Sequence, residues 1–407
     1  MPAVPQVLLA HPGTQHAFQL ARELYRRDYL GRFYTCLGLS SESNAARSLW
    51  PVAKLFKIER QWQNRIVEGV PAEKLRCYPQ LEIEAWWRTR NHAAARGALR
   101  VRNERFQRLI PNDAIASSEV VIGFDTSSHI LGDRAKTLGK RFILDRSIGH
   151  PRYYGRMIER LAGLFPEWED TYESKSENDL SLEDEEHRLA DLIVVPSRFV
   201  AKTLLDYGVP GEKIRKNPFG TDVTKFYPSS GLSRISPLIF LFLGALTARK
   251  GLPLLLDAWK AISPKNAELW IGGGGHVPRK ERVDSHRSIR WLGPISREAL
   301  PVVFRRAHIF VCPSFFEGLA QVQVEAAACG LPVIATTGSG GDEIIEEGVN
   351  GYVIKAGNLE QLVESLTRFI ERPVLVRDMR EHAMNRCRTL SWSAYGDRWQ
   401  QILKESD

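Results

Sequence analysis

Two glutamates in the second half of the chain, Glu317 and Glu325, have the spacing of residues that could bind a phosphorylated ligand. Seven residues separate them. The first follows an apolar run, residues 308–312, that predicts a strand, and the second lies on a short helix predicted to begin at Leu319 or Ala320. Because the first turn of a helix has unpaired N–H groups and the positive end of the helix dipole, this loop can bind a phosphate.

The two carboxylates could complete such a site. A carboxylate one or two turns along the helix can accept hydrogen bonds from two hydroxyls, as on a ribose, and one before the helix can reach the group beyond the phosphates. Two solvated surface acids are the alternative interpretation. The order of strand, loop, helix and a further strand entry at 330–336 favours the ligand site.

Cations and glycines follow two other predicted strands of this half. Arg249 and Lys250 lie in a loop that leaves the strand predicted at 238–243, and four glycines at 272–275 follow the strand predicted at 268–271. Fixed cations can stabilise the charge that develops on a leaving phosphate. A glycine run lets the backbone approach a nucleotide closely. A solvated turn and a flexible turn are the respective alternatives.

The first half of the chain offers a second set of candidates. Residues 11–16 follow the first predicted strand, and Gly13 and Thr14 among them could contact phosphate or acceptor. His150 follows another strand end closely and is either a structural histidine or a residue that faces the cleft. The candidates for an acceptor-facing group are Asp145, His16 and His129.

Short apolar runs alternate with helical stretches from end to end, a pattern typical of parallel sheets covered by helices. The sequence predicts an α/β fold with two doubly wound, Rossmann-like sheets in tandem, which bind ligands in a crevice at the carboxyl ends of the strands. A segment rich in Pro, Gly and Ser at 217–232 predicts the boundary between domains at 1–216 and 217–385. The strands are predicted at 6–10, 33–37, 120–124, 141–144, 192–196, 238–243, 268–271, 289–291, 309–312, 333–335 and 351–354.

The ordered motifs resemble retaining glycosyltransferase family 4. Residues 313–320 are similar to the family's Pro-Ser-x-x-Glu-Gly-Phe-Gly, and Glu325 with residues 330–334 to its Leu-Glu-Ala-Met-Ala and Gly-x-Pro-Val-Ile. Further similarities follow in family order. They are the linker motif at 217–228, the diphosphate loop at 242–251, the nucleotide strand at 269–275 and a strand at 190–197. The resemblance covers residues 185–400 well and residues 1–160 loosely.

The resemblance implies the GT-B fold, with a last helix at 386–407 that crosses back to the N-terminal domain. It also implies transfer of a sugar, with retention, from a nucleoside diphosphate to a hydroxyl of a glycan or lipid-linked saccharide. Glu317 and His150 would contact the donor sugar, and Arg249 and Lys250 the diphosphate. The remaining donor-binding residues would be Gly318, Leu319, Ala320, Glu325, Gly273, Gly274 and Ile295.

Two departures from the family pattern leave other functions open. Ala245 stands where family members often have Arg, and Leu319 with Ala320 replaces Phe-Gly. A catalytically degenerate nucleotide-sugar-binding homologue and another GT-B enzyme, such as a nucleotide-sugar epimerase, are the alternatives. The chain contains no Asp-x-Asp, which many metal-dependent glycosyltransferases use. We therefore expect no metal and no cofactor beyond the donor substrate itself.

A formal net charge of +8 concentrates before residue 110. Tryptophans interleave with the basic residues there, so residues 47–108 suggest contact with an anionic membrane surface. A solvated, arginine-rich helical face is the alternative. No recognised motif supports nucleic-acid binding. Without a signal core or a membrane-length apolar run, we expect a cytoplasmic protein, peripheral on the cytoplasmic face if the membrane interpretation holds. The tryptophans are Trp50, Trp62, Trp86 and Trp87.

Overall fold

The computed structural model describes residues 5–43, 64–89, 95–229, 236–278 and 286–405. These residues form two large parallel sheets flanked by helices, which confirms the predicted α/β class. Each sheet has the strand order of a doubly wound fold, so each has a point where the order reverses and a crevice opens at the carboxyl edge.

The N-terminal sheet has the order β5-β2-β1-β6-β7-β8-β9, and its neighbouring strands are parallel. Its order reverses between β1 and β6, so the loops after these strands border a crevice. The strands are β1 Val7–Ala10, β2 Leu30–Thr35, β5 Leu75–Cys77, β6 Val120–Phe124, β7 Arg141–Asp145, β8 Leu192–Val195 and β9 Ile214–Lys216. Two short strands, β3 Leu39–Ser40 and β4 Ile66–Val67, form a separate pair.

The C-terminal sheet has the order β12-β11-β10-β13-β14-β15, and its order reverses between β10 and β13. Arg249 and Lys250 follow β10, while Glu317 follows β13, so the topology alone brings both loops to one crevice. The strands are β10 Leu238–Leu243, β11 Ala267–Gly272, β12 Ile289–Gly293, β13 Ile309–Cys312, β14 Val333–Thr336 and β15 Gly351–Ile354.

Helices cover both sheets in the described part of the chain. Those of the first half are α1 Ala17–Tyr25, α2 Pro79–Thr89, α3 Ala95–Leu109, α4 Asn112–Ala116, α5 His129–Thr137, α6 Pro151–Leu164, α7 Glu177–Leu189 and α8 Arg198–Leu205. Those of the second half are α9 Leu252–Ile262, α10 Leu300–Arg306, α11 Gln321–Ala328, α12 Leu359–Glu371, α13 Leu375–Arg388 and α14 Trp392–Lys404. In this described part, no helix combines the length and the apolar character that crossing a membrane would need.

All eleven strands predicted from the sequence are confirmed, and four of them match to the residue: β6, β10, β13 and β15. These strands are apolar runs buried on both faces, such as Leu238–Leu243, which packs between two helical layers. The prediction missed the outer strands β5 and β9. Each has only three residues and is partly exposed, so neither shows a continuous apolar run.

The last helix, α14, packs against α1 of the N-terminal sheet. Arg27, two residues after the end of α1, donates to Asp397 on α14, with Nη2 and Oδ1 2.6 Å apart. Asn217 accepts from Arg398 and donates to the backbone carbonyl of Tyr395. The helix that ends the C-terminal half is therefore anchored on the N-terminal half.

The two halves also meet directly across the crevice. Ser197 before α8 donates to the carbonyl of Gly318 at 2.6 Å. The buried carboxylate of Glu343 accepts from the backbone N–H of Arg198 at 2.7 Å and pairs with Lys216 at 2.8 Å. A Cβ on Gly318 would lie 1.7 Å from the carbonyl oxygen of Ser147. Only glycine permits this approach. The loop that contains Gly318 therefore packs directly against the loop that contains Ser147.

Candidate functional site

Three of the residues predicted to act in catalysis form one cluster at the carboxyl edge of the C-terminal sheet. Oε1 of Glu317 lies 2.5 Å from Nη1 of Arg249 and 2.7 Å from Nζ of Lys250. All three side chains are largely but not fully buried, with between 13 and 24% exposed. A single carboxylate thus holds two cations side by side, which is a group that can bind a doubly charged phosphate.

The loop after β10 is built to bring its cations to the loop after β13. Gly251 has φ of 75°, and a Cβ there would lie 2.0 Å from the carbonyl oxygen of Pro313, so glycine is required. The N–H of Phe315 donates to the carbonyl of Arg249 at 2.8 Å. The Arg249 guanidinium in turn donates to the carbonyl of Phe316 at 2.7 Å. The backbones of the two loops are therefore fixed to each other.

The side chain of Lys250 lies close to Ala245, the position where members of the family resembled often have Arg. A Cβ on Gly244 would meet the aliphatic stem of Lys250 at 3.7 to 3.9 Å, so this stem lies over the glycine beside Ala245. The second cation comes from Arg249, four residues beyond Ala245. Arg249 and Lys250 thus place two cations in a loop that has alanine at position 245.

The backbone of residues 317–320 is more constrained than the sequence indicated. Ala320 is the N-cap of α11, and its N–H donates to the carbonyl of Ser339 at 3.0 Å. The N–H of Glu317 donates to the carbonyl of Gly338 at 2.8 Å. A phosphate bound through the amides of Gly318 and Leu319 would therefore leave these loop contacts in place, whereas binding through Ala320 would break one.

Glu325 lies in the second turn of α11 and is 1% exposed. Its Oε1 is 3.2 Å from Nη2 of Arg297, which is itself mostly exposed. Burial raises the pKa of Glu325 to about 7, and the nearby Arg297 opposes this shift. A buried carboxylate with one cationic partner retains acceptor capacity for ligand hydroxyls.

The glycine run after β11 packs tightly against the loop after β10. Gly273 has φ of 147°, and a Cβ there would lie 1.7 Å from the carbonyl oxygen of Gly244. Gly274 accepts from the N–H of Leu246 at 2.9 Å. A Cβ on Gly272 would lie 2.5 Å from Cδ1 of Ile295, so Ile295 borders this loop. Gly272 and Gly273 are therefore needed for packing between loops, whatever ligand they approach.

Two acceptor-side candidates in the N-terminal half are brought together. Nε2 of His16 lies 3.0 Å from Oδ2 of Asp145, and the phenol of Tyr395 from α14 donates to the same oxygen at 3.2 Å. The His16 ring also packs on Phe219 of the interdomain segment, with ring centres 4.3 Å apart. This buried network connects the loop after β1 and the end of β7 to α14.

The other two predicted residues of the first loop lie beside this network. Gly13 donates its N–H to Nδ1 of His11 at 2.8 Å, and Gly13 and Thr14 are half-buried. Burial lowers the pKa of His11 to about 4, so its ring is a neutral acceptor at pH 7. The side chain of His11 thus fixes the backbone of its own loop at Gly13.

His150 does not join the cation cluster. It is the N-cap of α6, with Nδ1 accepting from the N–H of Arg152 at 3.2 Å, and its ring stacks on Tyr207 with centres 4.5 Å apart. Burial lowers its pKa to about 4. Its ring neighbours are His187 and Asp184 of α7, so the imidazole faces the helical layer of the N-terminal half.

A cavity of about 470 Å³ lies between the two halves, next to the cation cluster. Arg249 and Phe316 border it from one side and His129 from the other. Its remaining lining includes residues that the sequence did not single out, among them Thr126, Tyr154, Lys175, Glu183 and Glu186. Long-range packing brings them there, and no local pattern marks them.

Arg146 is a further residue that the sequence analysis missed. It is fully buried, pairs with Glu183 at 2.5 Å and donates to the carbonyl oxygens of Ile148 and Gly149. Lys175 pairs with the other oxygen of Glu183. Arg146 thereby holds the loop between β7 and α6 in the shape that meets Gly318. Its place next to Asp145 at a strand end was the available signal.

Comparison with known proteins points to one family. The family model for glycosyl transferases group 1 matches residues 226–386, the part of the chain that contains the cation cluster and Glu325. A D-inositol 3-phosphate glycosyltransferase of Nocardiopsis dassonvillei is 29% identical over 248 residues, which are 55% of this chain and 58% of that protein. An uncharacterized glycosyltransferase of Methanocaldococcus jannaschii is 34% identical over 37% of this chain and 44% of that protein. The chain thus spans only about half the length of these relatives.

Solved structures match over nearly the whole chain. A sucrose-phosphate synthase from Thermosynechococcus elongatus has a TM-score of 0.65 at 18% identity and covers 98% of both chains. HepE from Anabaena, solved in complex with UDP and glucose, has a TM-score of 0.63 at 14% identity over 98% of this chain and 99% of its own. At such identities the likeness shows the fold alone. The chain therefore has the GT-B fold, and its residues 226–386 match the family model for glycosyl transferases group 1.

Proposed function

We propose that this protein is a retaining glycosyltransferase of the family 4 type. It would move a hexose-like sugar from a nucleoside diphosphate to a hydroxyl of a glycan or lipid-linked saccharide. The observation that carries the proposal is the convergence of Glu317, Arg249 and Lys250 beside the glycine loop of β11, within the part of the chain that matches the family. The UDP and glucose bound in the HepE structure support a nucleotide-sugar donor.

The proposed chemistry needs a stabilised leaving group. The bond between the anomeric carbon and the diphosphate oxygen breaks, and a bond from the acceptor oxygen to that carbon forms on the same face. The proton of the acceptor hydroxyl passes to the departing phosphate. Arg249 and Lys250 would stabilise the charge on the diphosphate, while Glu317 would bind hydroxyls of the donor sugar. Glu317 is then an electrostatic and positioning group.

The pocket beside the cluster supports an acceptor of mixed character. Tyr154, Phe316 and Ile148 provide apolar surface, whereas Lys175 and Glu183 provide charge. A sugar ring presents both an apolar face and hydroxyls, so such a lining suits a saccharide. The proposed acceptor therefore binds between the helices α5, α6 and α7 and the loop of Glu317.

A two-stage assay tests the proposed function. Thermal shift across nucleoside diphosphate sugars identifies the donor, and release of nucleoside diphosphate is then measured with and without saccharide acceptors. A transferase releases nucleoside diphosphate slowly without acceptor and faster with it. An epimerase would change the sugar without net consumption of donor, and a degenerate homologue would bind donor without either reaction. Each outcome other than acceptor-dependent release contradicts the proposal.

We expect full activity in the presence of a chelator. The two cations beside Glu317 take the place of a metal at the diphosphate, and the sequence has no Asp-x-Asp to bind one. The measurement compares turnover in EDTA with turnover in magnesium or manganese. Loss of activity in EDTA that either ion restores would show that the leaving group needs a metal.

We also propose that the basic region of residues 47–108 contacts an anionic membrane. On α2, Ile83, Trp86 and Trp87 are between 55 and 61% exposed and form an apolar surface. Arg88 beside them pairs with Glu84 at 2.7 Å, which reduces the local positive charge. Trp50, Trp62 and Arg90, which the sequence analysis included in this region, lie outside the described residues.

Sedimentation with anionic vesicles tests this surface. We expect binding at low salt and release near 1 M salt, where the Debye length falls to about 3 Å. Replacing Arg88, Arg90 and Arg96 with Gln should weaken binding by about 1 kcal/mol for each arginine that lies near the surface. Lys202→Gln, an exposed charge on α8, is the matched control and should bind as the wild type does. No sedimentation at low salt would leave the solvated-face interpretation and favour a soluble saccharide acceptor.

A further inference from the structure

Two ligand-type side chains lie on one face of α7. Asp184 and His187 are three residues apart in this helix, and side chains at that spacing are neighbours on a helix surface. An acidic residue and a histidine at this spacing are a recurrent pair in helical metal sites. His150, at the start of α6, supplies a third side chain from a separate element.

The three side chains already converge. One potential ligand atom from each of His150, Asp184 and His187 lies within 4.8 Å of the others. Nε2 of His150 is 3.6 Å from Oδ1 of Asp184. Zinc ligands lie about 2.0–2.2 Å from the ion, which places them roughly 3.3 Å from one another. The ligand atoms therefore need to approach one another by up to about 1.5 Å around an ion.

His187 gives an independent indication of a missing ligand. Its Nε2 is buried and has no hydrogen-bond partner among the described residues, and the side chain as a whole is 5% exposed. Leaving a buried polar atom unpaired is costly. This group of two imidazoles and a carboxylate therefore contains a buried nitrogen that no described residue satisfies.

One carboxylate oxygen of Asp184 faces the histidines. Asp184 pairs with Arg152 through Oδ2 at 2.8 Å, so Oδ1 is the carboxylate oxygen directed at His150.

We propose that His150, Asp184 and His187 form a binding site for a divalent transition-metal ion of the zinc type. Two imidazoles and a carboxylate are the ligands that zinc accepts, and three protein ligands leave a fourth position for water. The site lies apart from the cation cluster at Glu317. Zinc binding here is therefore compatible with a donor site that needs no metal.

Two features limit the affinity of this site. The N–H of Arg152 donates to Nδ1 of His150, so the metal-free ring has its proton on Nε2. An ion on Nε2 moves that proton to Nδ1 and breaks this cap of α6, which costs about 0.5–2 kcal/mol. The cations of Arg146 and Lys175 also lie nearby and repel an ion. We therefore expect binding weaker than that of a dedicated structural zinc site.

Occupancy of the proposed metal site would affect the residues that α6 contacts. Tyr153 and Tyr154 of α6 pack on Phe316, with ring centres 5.9 and 5.2 Å apart, and Phe316 precedes Glu317. A Cβ on Gly149, just before His150, would lie 2.7 Å from the Phe316 ring. An ion at the start of α6 would thus order the segment that packs against the proposed donor site.

Metal titration of protein purified without a histidine tag tests the site. We expect one equivalent of Zn²⁺ to bind by calorimetry and to raise Tm, with Mg²⁺ doing neither. Co²⁺ should give the visible absorption of a tetrahedral complex. His187→Ala should weaken Zn²⁺ binding at least tenfold, and Asp184→Asn, which keeps the side-chain shape, should do the same. His276→Ala removes an exposed histidine and is the matched control.

The control decides between specific and adventitious binding. If His276→Ala weakens Zn²⁺ binding as much as His187→Ala does, the ion binds at surface histidines and the proposal is wrong. Failure of the wild type to bind one equivalent of Zn²⁺ also overturns it. Asp184→Asn separates loss of a ligand from misfolding. Its Tm without metal is compared with that of the metal-free wild type, and an unchanged Tm shows that the fold is intact.

Discussion

Glu317→Ala is expected to lower kcat by about 10²–10³-fold while nucleoside diphosphate affinity stays the same or becomes tighter. The carboxylate pairs with both Arg249 and Lys250 in the free protein and offsets one of their two charges. Its removal leaves two unpaired cations for the diphosphate but deletes the group proposed to hold the donor sugar. Turnover should therefore fall while nucleoside diphosphate binding does not weaken. Initial rates and calorimetry with the nucleoside diphosphate identified by thermal shift measure the two effects.

Variants of the cations make this result specific. Arg249→Ala and Lys250→Ala should each weaken nucleoside diphosphate affinity, because each removes a charge-assisted contact to phosphate. Arg368→Ala removes an exposed arginine that pairs with Glu364 on α12, and it should change neither quantity. If Glu317→Ala instead weakens binding and spares kcat, the roles assigned to Glu317 and Glu325 are exchanged.

The parts of the fold that the sequence predicted well are those in which local pattern and tertiary role agree. Strands buried on both faces are continuous apolar runs, and their bounds could be read closely, as for β10 and β13. The three-residue edge strands β5 and β9 derive their structure from pairing with a neighbour. Their own residues alternate too little to show it.

The same distinction separates the predicted site residues. Arg249, Lys250 and Glu317 follow adjacent strands of one parallel sheet, so strand order alone brings them to one edge. The surroundings of His150 depend on how α6, α7 and α8 pack, and no local signal reveals that. Proline is typical of the first helical position, so Pro151 directly after His150 was a signal that His150 is the N-cap of a helix.

Glu325 should make nucleotide binding depend on pH. Burial raises its pKa in the free protein to about 7, so it is largely protonated below this pH. Ribose hydroxyls donate to the ionised carboxylate, and binding therefore selects the ionised form. As pH falls below 7, each unit should weaken nucleoside diphosphate affinity by up to about tenfold, or 1.4 kcal/mol. Titration calorimetry between pH 5.5 and 8.5 measures this slope.

Glu325→Gln separates this effect from ionisation of the phosphate. The variant should bind more weakly at pH 8, by roughly 1.5–3 kcal/mol for each charge-assisted hydrogen bond that it loses. The pH dependence of its nucleoside diphosphate affinity should retain only the contribution from ionisation of the ligand's phosphate. Glu360→Gln, an exposed change on α12, should keep the profile of the wild type. Equal affinities of wild type and Glu325→Gln at pH 8 would remove Glu325 from the nucleotide site.

The stability of the ligand-free protein should move in the opposite direction. A carboxyl group whose pKa is raised by folding contributes stability that is complete below its unfolded pKa, near 4.5, and is lost as pH rises through about 7. The wild type therefore carries a buried charge above pH 7 that Glu325→Gln lacks. The variant should gain Tm relative to the wild type between pH 5 and pH 8, while it loses nucleotide affinity at pH 8. A loss of both would show that Glu325 supports the fold of α11 and not the ligand.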